Sequence, residues 1–472
     1  MPSRQDQLHS YQFSLQRVVA ALVTHDPDPY RSPLRRAGTT AVVSLVIAGL
    51  AVGGTAIYGL LTGNSDVQLR DESVIFLERG SGARYVYLKS DDRLHPVLNY
   101  TSGLLIANAQ VPKMVSTSRE RLATVPLGDP LGIPDAPDSL PAKKDLRTGG
   151  WSICSAKPPA TSGGEPQSTL LVGEPLTDGT IAAAPGAGEA PRALLVRDPT
   201  GRTFLLYGNR RFLIPEDRAT ASLRALGWNA QQPLPVAAAF INSVPLGPDL
   251  AAPAIPDFGG RSGIDGYRIG QLLTDGSQWS VAMADGAAAV TEVQARLMQA
   301  EPASYAPRTL DHSFNNLPPS RARLSEVQDV PATVPELAVP AERVCMTLPM
   351  GRGSQGGLRL DPGVPTGAAV RDDAAVPGGV QADFVYVARG KGALVAAAAS
   401  PNAPAGSGTV SIVTDDGRRY AVADRELLGR LGYGAVTPQQ VPAQLIALLP
   451  QGPSLDAAKA RQSVIGAQQS GR

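Results

Sequence analysis

The sequence predicts an α+β, β-rich protein: a single N-terminal transmembrane helix, then an elongated ectodomain in which a central core carries four small hairpin-plus-helix repeat domains with pseudo-twofold character. Three observations carry that expectation. Residues 37–65 run for 29 positions without a charged side chain. Two 25-residue segments lying 205 positions apart match without a gap. The 49 glycines and 42 prolines break most of the remainder into short apolar runs bounded by turns.

The N-terminal segment "DQLHSYQFSLQRVVAALVTHD" places Leu8, Tyr11, Leu15, Val18 and Leu22 at spacings of three and four, which puts them on one face of a helix. Two readings suit such a helix. It lies on the membrane surface, or it binds a partner; its slight basic character does not favour the first over the second.

The apolar centre of the uncharged run, residues 41–61, rises ~31 Å as a helix and matches the ~30 Å hydrocarbon layer of a bilayer. A cleaved signal peptide has a shorter apolar region and a shorter leader than the 36 residues found here. Arg31, Arg35 and Arg36 crowd the N-terminal end of the run, whereas the far end is acidic at Asp66, Asp71 and Glu72. By the positive-inside rule the N-terminus stays cytoplasmic and the long C-terminal part lies across the inner membrane, on the periplasmic side.

Composition excludes some function classes. The net charge is +1 with no block of like charge, so nothing proposes nucleic acid as a partner. No P-loop, H-E-x-x-H, G-x-S-x-G or C-x-x-C pattern occurs, and His9, His25, His95 and His312 are scattered. No metal, no cofactor and no catalytic residue is expected. "GRGSQG" at residues 351–356 fits G-x-G-x-x-G, but prolines rather than a helix follow it, and it reads as a loop. "ARGKGAL", with Lys391 between glycines, reads as a hairpin turn.

Cys154 and Cys345 are the two cysteines, both on the exported side of the expected membrane helix. An oxidising compartment favours a bridge between them, the alternative being two separate buried thiols. A bridge would tie the middle of the ectodomain to its last third.

The repeats show best in "LGWNAQQPLPVAAAFINSVPLGPDL" (226–250) and "LGYGAVTPQQVPAQLIALLPQGPSL" (431–455), where Gly227 meets Gly432, Trp228 meets Tyr433 and Pro245 meets Pro450. Hairpin signals with Gly201 and Gly417 precede them. Residues 73–106 and 270–298 are weaker copies with a hairpin, a second turn, a short strand and a helix. Thr291 with Gln294 makes a capping box, and Asp424 is placed to cap the helix that Gly432 ends. Proline-rich strips at 126–141, 245–257 and 330–340 read as stiff crossings of the central core, with Leu131, Ile133, Ile255 and Leu337 facing inward. The expected organisation is a cytoplasmic segment (1–36), the membrane helix (37–63), repeats at 70–118, 191–230, 261–308 and 381–434, and core segments at 119–190, 231–260, 309–380 and 435–472.

"SYQFSLQRVVAALVTHD", "SPLRR", "LHPVLNYTSGLLI" (94–106), "LGIPDAP" (131–137) and "WSIC" (151–154) together resemble the EccB family, the membrane-anchored component of actinobacterial type VII (ESX) secretion systems. The resemblance covers nearly the whole chain; Gln16 departs from it, standing where the family commonly has a second basic residue beside Arg17. It implies a structural, non-enzymatic subunit of an inner-membrane complex with EccC, EccD and EccE. The ectodomain would associate with copies of itself, and Cys154 and Cys345 would bridge. The cytoplasmic helix, through Tyr11, Phe13, Leu15, Arg17, Val18 and Leu22, would contact partners. Weak ATP hydrolysis has been suggested for the family, but no phosphate-cradling loop is found here. The alternative is a stand-alone envelope anchor that binds peptidoglycan or another cell-wall polymer.

Overall fold

The computed structural model describes residues 3–25, 33–63, 68–158, 164–174, 176, 178–183, 192–311, 314–324, 330–338, 341–348, 356–370, 379–399, 404 and 407–464. It divides into two compact units, Met1–Leu69 and Arg70–Arg472.

The first unit holds two helices, α1 (Arg4–Thr24) and α2 (Pro33–Gly63). A capping box starts α1: the Asp6 N–H donates to Ser3 Oγ, and the Asp6 carboxylate accepts from the Ser3 N–H. His25 ends it in the left-handed region at φ 55°. In α2 the stretch Gly38–Ile57 is long and apolar enough to cross a membrane, and none of it is buried within the protein. A helix satisfies its own backbone groups, which is what a stretch crossing a bilayer requires.

The second unit follows one plan four times. Repeat 1 has β1 (Val74–Glu78), β2 (Arg84–Leu88) and β3 (Arg93–Pro96) as an antiparallel meander, then α3 (Tyr100–Ile106). Its β4 (Lys113–Thr117) returns parallel to β1, and a single turn, α4 (Arg119–Leu122), follows. Three strands of another sheet come next: β5 (Trp151–Ala156), β6 (Gln167–Leu171) and β7 (Thr180–Ala183). Repeat 2 comprises β8 (Leu194–Arg197), β9 (Thr203–Tyr207), β10 (Arg210–Ile214), α5 (Ala219–Ala225) and β11 (Leu234–Pro235), followed by α6 (Ala238–Ser243). Repeat 3 comprises β12 (Leu272–Thr274), β13 (Trp279–Ala282), β14 (Ala287–Val290), α7 (Glu292–Gln299) and β15 (Arg308–Thr309).

Four more strands then complete the sheet begun by β5: β16 (Arg343–Leu348), β17 (Gly357–Leu360), β18 (Ala368–Ala369) and β19 (Phe384–Tyr386). Repeat 4 comprises β20 (Ala393–Ala398), β21 (Val410–Val413), β22 (Arg419–Ala421), α8 (Leu427–Arg430) and β23 (Gln439–Pro442), followed by α9 (Ala443–Ala447) and α10 (Ala457–Ala460). In every repeat the spatial order is third, second, first and fourth strand, the last parallel to the first. The central sheet has seven strands in the order β18-β19-β6-β5-β16-β17-β7.

The repeats pair through shared cores. Repeats 1 and 4 bury Ile75, Leu105, Ile412, Tyr420 and Tyr433 in one cluster, and repeats 2 and 3 bury Leu205, Phe212, Trp228, Val293 and Leu297 in another. Between them, Trp151, Ile153 and Val344 of the central sheet pack with Phe240 of α6 and Leu445 of α9. The gapless match of 226–250 with 431–455 therefore has a physical basis: α6 and α9 hold equivalent places, and Gln444 Nε2 of α9 donates to the carbonyl of Ser243 of α6 at 3.4 Å.

Several expectations need correction. The return strands β11 and β23 lie beyond the expected repeat ends at 230 and 434, because a two- or four-residue strand flanked by prolines gives little period-two signal. Strand β19, assigned to repeat 4, pairs with β6 in the central sheet. The Lys391 loop joins two sheets rather than two hairpin strands. The Gly201 and Gly417 hairpins both form, with φ 91° and 77°, but at different places: the first joins the first and second strands of repeat 2, the other the second and third of repeat 4. Asp424 does not cap α8: its Oδ1 accepts from the Glu426 N–H, a local turn ahead of the helix.

The proline-rich strips also run differently. The strips at 126–141 and 245–257 lie along the third strands of repeats 1 and 2, whereas the one at 330–340 runs beside the start of β8, where the Ala338 N–H donates to the Ala193 carbonyl at 2.8 Å, and brings Ala338 into the central core. In repeat 1 the Leu94 N–H donates to the Pro126 carbonyl at 2.9 Å, and the Gly128 N–H donates to the Leu94 carbonyl at 2.8 Å. The same two bonds tie Arg211 to Pro245 and Gly247, Ala287 to Pro318 and Ser320, and Arg419 to Pro450 and Gly452. The rings of His95, Phe212 and Tyr420 leave no room for a side chain at Gly128, Gly247 and Gly452. In repeat 3 the matching strand position is Ala288, and there Ser320 fits. Leu131 and Ile133 are buried, but in the core shared by repeats 1 and 4. Ile255 packs in repeat 3, and Leu337 pairs with Ala193 of repeat 2.

Candidate functional site

On α1 the apolar side chains stay bare. Tyr11, Val18 and Leu22 are 68%, 59% and 74% exposed, and Leu8 and Leu15 more than half exposed, so the whole stripe lacks a covering partner within its unit. Phe13 and Arg17 lie off this stripe, the guanidinium stacked 5.7 Å above the ring centroid. Ala20, one heptad from Phe13, is the one buried side chain of the helix among the described residues. The face that α1 packs is thus the Ala20 face, and the Leu8–Leu22 face remains available. The Ser3 hydroxyl holds the Asp6 carboxyl below its ordinary range by hydrogen bonding.

Arg35 and Arg36 fall in the first turn of α2, and Arg31 lies outside the described residues. The exposed apolar stretch begins just after them.

Cys154 and Cys345 form a disulfide with Cα atoms 4.0 Å apart. They face each other across the β5–β16 pair and are buried with Leu171, Leu176, Val364 and Tyr386, on the sheet face opposite Trp151 and Ile153. The neighbouring facing pair, Ser152 and Thr347, shares a hydrogen bond of 2.8 Å. Strand alternation sends the polar and bridging pairs to one face and the large apolar side chains to the other.

Nothing here assembles a reaction centre among the described residues. Lys391 is paired with Asp145 at 2.7 Å. Gly356 leads into strand β17 rather than a helix, and 351–355 lie outside the described residues. No cluster of metal-ligating side chains occurs among the described residues. The segments that the sequence analysis does not resolve are the Pro-x-Gly ties at 126–128, 245–247 and 450–452; their signal is the recurrence of that triplet after the third strands of repeats 1, 2 and 4.

Among the described residues, one exposed helix is of membrane length, with an uncovered apolar face before it in the chain and a stapled multi-sheet unit after it, the parts of a membrane-complex subunit. The comparisons agree. The chain belongs to the family described as type VII secretion system ESX-1, transport TM domain B, which matches residues 1–466. It is 27% identical over 493 residues to the ESX-3 secretion system ATPase EccB3 of Mycobacterium tuberculosis (strain ATCC 25618 / H37Rv), covering 96% of this chain and 88% of that protein. It is 29% identical over 494 residues to the ESX-5 secretion system ATPase EccB5 of Mycobacterium marinum (strain ATCC BAA-535 / M), covering 97% and 93%. A chain in the structure of an intact ESX-5 inner membrane complex matches 98% of this chain and 95% of its own length with a TM-score of 0.66 at 26% identity. The EccB3 dimer from the ESX-3 core complex matches 82% and 99% with a TM-score of 0.62 at 26% identity.

Proposed function

We propose that this chain is a structural subunit of a type VII secretion inner-membrane complex, held by α2 with α1 in the cytoplasm and the second unit on the exported side. The observation that carries the reading is the bare Gly38–Ile57 helix in a chain that matches, almost end to end, a subunit of a solved ESX-5 inner membrane complex. Orientation follows from Arg31, Arg35 and Arg36 ahead of the span. The exposed stripe of α1 is the surface we assign to cytoplasmic contacts with EccC, EccD and EccE subunits. The likeness to an EccB3 dimer supports self-association through the second unit.

The names of the EccB3 and EccB5 relatives include the word ATPase, and we read this chain as a scaffold instead. Its one glycine-flanked lysine is engaged in an ion pair, and a phosphate-binding loop needs a lysine free to reach the phosphates. The experiment is the mass and composition of the particle that co-purifies with a tagged copy from mildly solubilised membranes. A large assembly containing a cytoplasmic ATPase and a multi-span protein supports the scaffold. A lone monomer that sediments with purified cell wall overturns it in favour of the envelope anchor.

A further inference from the structure

The two repeat junctions differ in how they use arginine. Between repeats 1 and 4, Arg430 at the end of α8 donates to the carbonyl of Leu105 at 3.0 Å, and Arg461 donates to that of Ile106 at 3.1 Å. The carbonyls at the end of α3, which the helix itself leaves without partners, are thereby satisfied. Between repeats 2 and 3, α5 carries Arg224 in the corresponding turn, and among the described residues its guanidinium has no hydrogen-bonding or charged partner. Instead it borders an open groove of about 470 Å³ between α5 and α7, shared with Ala221, Ala225, Trp279, Arg296 and Gln299.

The groove is held in shape. Arg218, at the start of α5, pairs with Glu301 beyond α7 at 3.1 Å, and Arg296 is positioned by Glu292 one turn earlier at 2.9 Å. Trp279 is half-buried against the core of repeat 3 and lines the groove. Thus a fixed guanidinium, an uncompensated one, an indole and alanine methyls converge on one concave surface.

We propose that this groove binds an acidic peptide segment of a partner protein. A carboxylate supplies the paired acceptors that the Arg224 guanidinium lacks, and a second carboxylate reaches Arg296. An apolar side chain between them rests on Trp279 and the alanine floor, and the Gln299 amide can bond a peptide group. A bare phosphate satisfies the arginines but leaves the indole and methyls without a contact. The proposal is independent of the cytoplasmic contacts of α1.

The test is fluorescence anisotropy of a dye-labelled peptide, Glu-Leu-Glu-Glu-Leu-Glu, titrated with the detergent-solubilised full chain. Binding is expected to weaken with added salt. It should fall about tenfold in Arg224→Ala, whose exposed side chain can be removed without touching the core. Trp279→Leu should weaken it as well, and Arg430→Lys should leave it unchanged. Equal binding of the lysine counterpart of the peptide, or unchanged affinity in Arg224→Ala, overturns the proposal. Displacement by inorganic phosphate alone at the same concentration as by unlabelled peptide overturns it too, in favour of a simple anion site. Co-purification of the membrane complex is a separate readout, so this result leaves the scaffold reading standing or falling by itself.

Discussion

Gly452 lies directly beneath the ring of Tyr420, and the backbone of the one is hydrogen-bonded to the strand that carries the other. Gly247 beneath Phe212 and Gly128 beneath His95 repeat the arrangement. Gly452→Ala should therefore destabilise the second unit by about 1–3 kcal/mol through overpacking. In a Tyr420→Ala background the same change should cost far less, since the space is then open. Thermal melts of the four proteins check this; additive losses would show that the ring and the glycine do not compete for space.

The Cys154–Cys345 bond closes a sequence separation of 191 residues. Chain-entropy arguments give such a loop a stabilisation of roughly 5 kcal/mol, the upper end of what is measured for native bridges. Cys154→Ala with Cys345→Ala should lower the denaturant midpoint markedly, and reductant should do the same to the native chain only. An unchanged midpoint would assign the stability of the central sheet to its packing alone.

Alkaline pH should weaken the second unit through two tyrosines. Burial, with Asp416 beside the hydroxyl, pushes Tyr420 well above its ordinary value, and burial does the same to Tyr433, whose hydroxyl donates to the Pro141 carbonyl at 2.7 Å. Both folded values exceed the unfolded one of about 10, so this stability is complete below pH ~10 and is lost as pH rises toward the folded values. Chemical denaturation from pH 9 to 12 should show a steeper decline in the native protein than in Tyr420→Phe with Tyr433→Phe. Parallel declines would place the sensitivity elsewhere.

Tyr11→Ser with Leu15→Ser and Val18→Ser should release cytoplasmic partners during co-purification while leaving the melting of the second unit unchanged. These side chains are exposed and no core depends on them. Retention of the full complex would move the partner contact off this stripe.

Exchanging Arg31, Arg35 and Arg36 for glutamate should raise the fraction of chains inserted in the opposite sense. A C-terminal reporter active on only one side of the membrane measures it. An unaltered distribution would mean that the long second unit sets topology by itself.

The legible parts of the fold were those with a strong period or a fixed turn chemistry. The 29 uncharged residues marked the membrane helix, Thr291 with Gln294 marked the start of α7, and Gly227 and Gly432 marked helix ends at φ 75° and 88°. The return strands were hidden because β11 and β15 are only two residues long and are defined by the partner strand, not by alternation of their own. Asp424 illustrates the limit at the level of one residue. The same carboxylate can cap a helix or close a turn, and only the path of the following three residues decides. For the interaction surfaces, the α1 stripe was visible as spacing, whereas the Arg224 groove is formed by helices 70 residues apart whose approach no local pattern encodes.

The pairing of first and last repeats has a bearing on how the chain is made. Leu105 and Arg430 are 325 positions apart, and Ile106 and Arg461 are 355 apart. Synthesis runs from the N-terminus, so repeat 1 emerges with part of its core missing and must wait for more than 300 further residues before Ile412, Tyr420 and Tyr433 arrive to cover it. Repeat 4 and the turn after it are in this sense the latch of repeat 1, and a ribosome that stops short of residue 461 leaves that repeat unfinished.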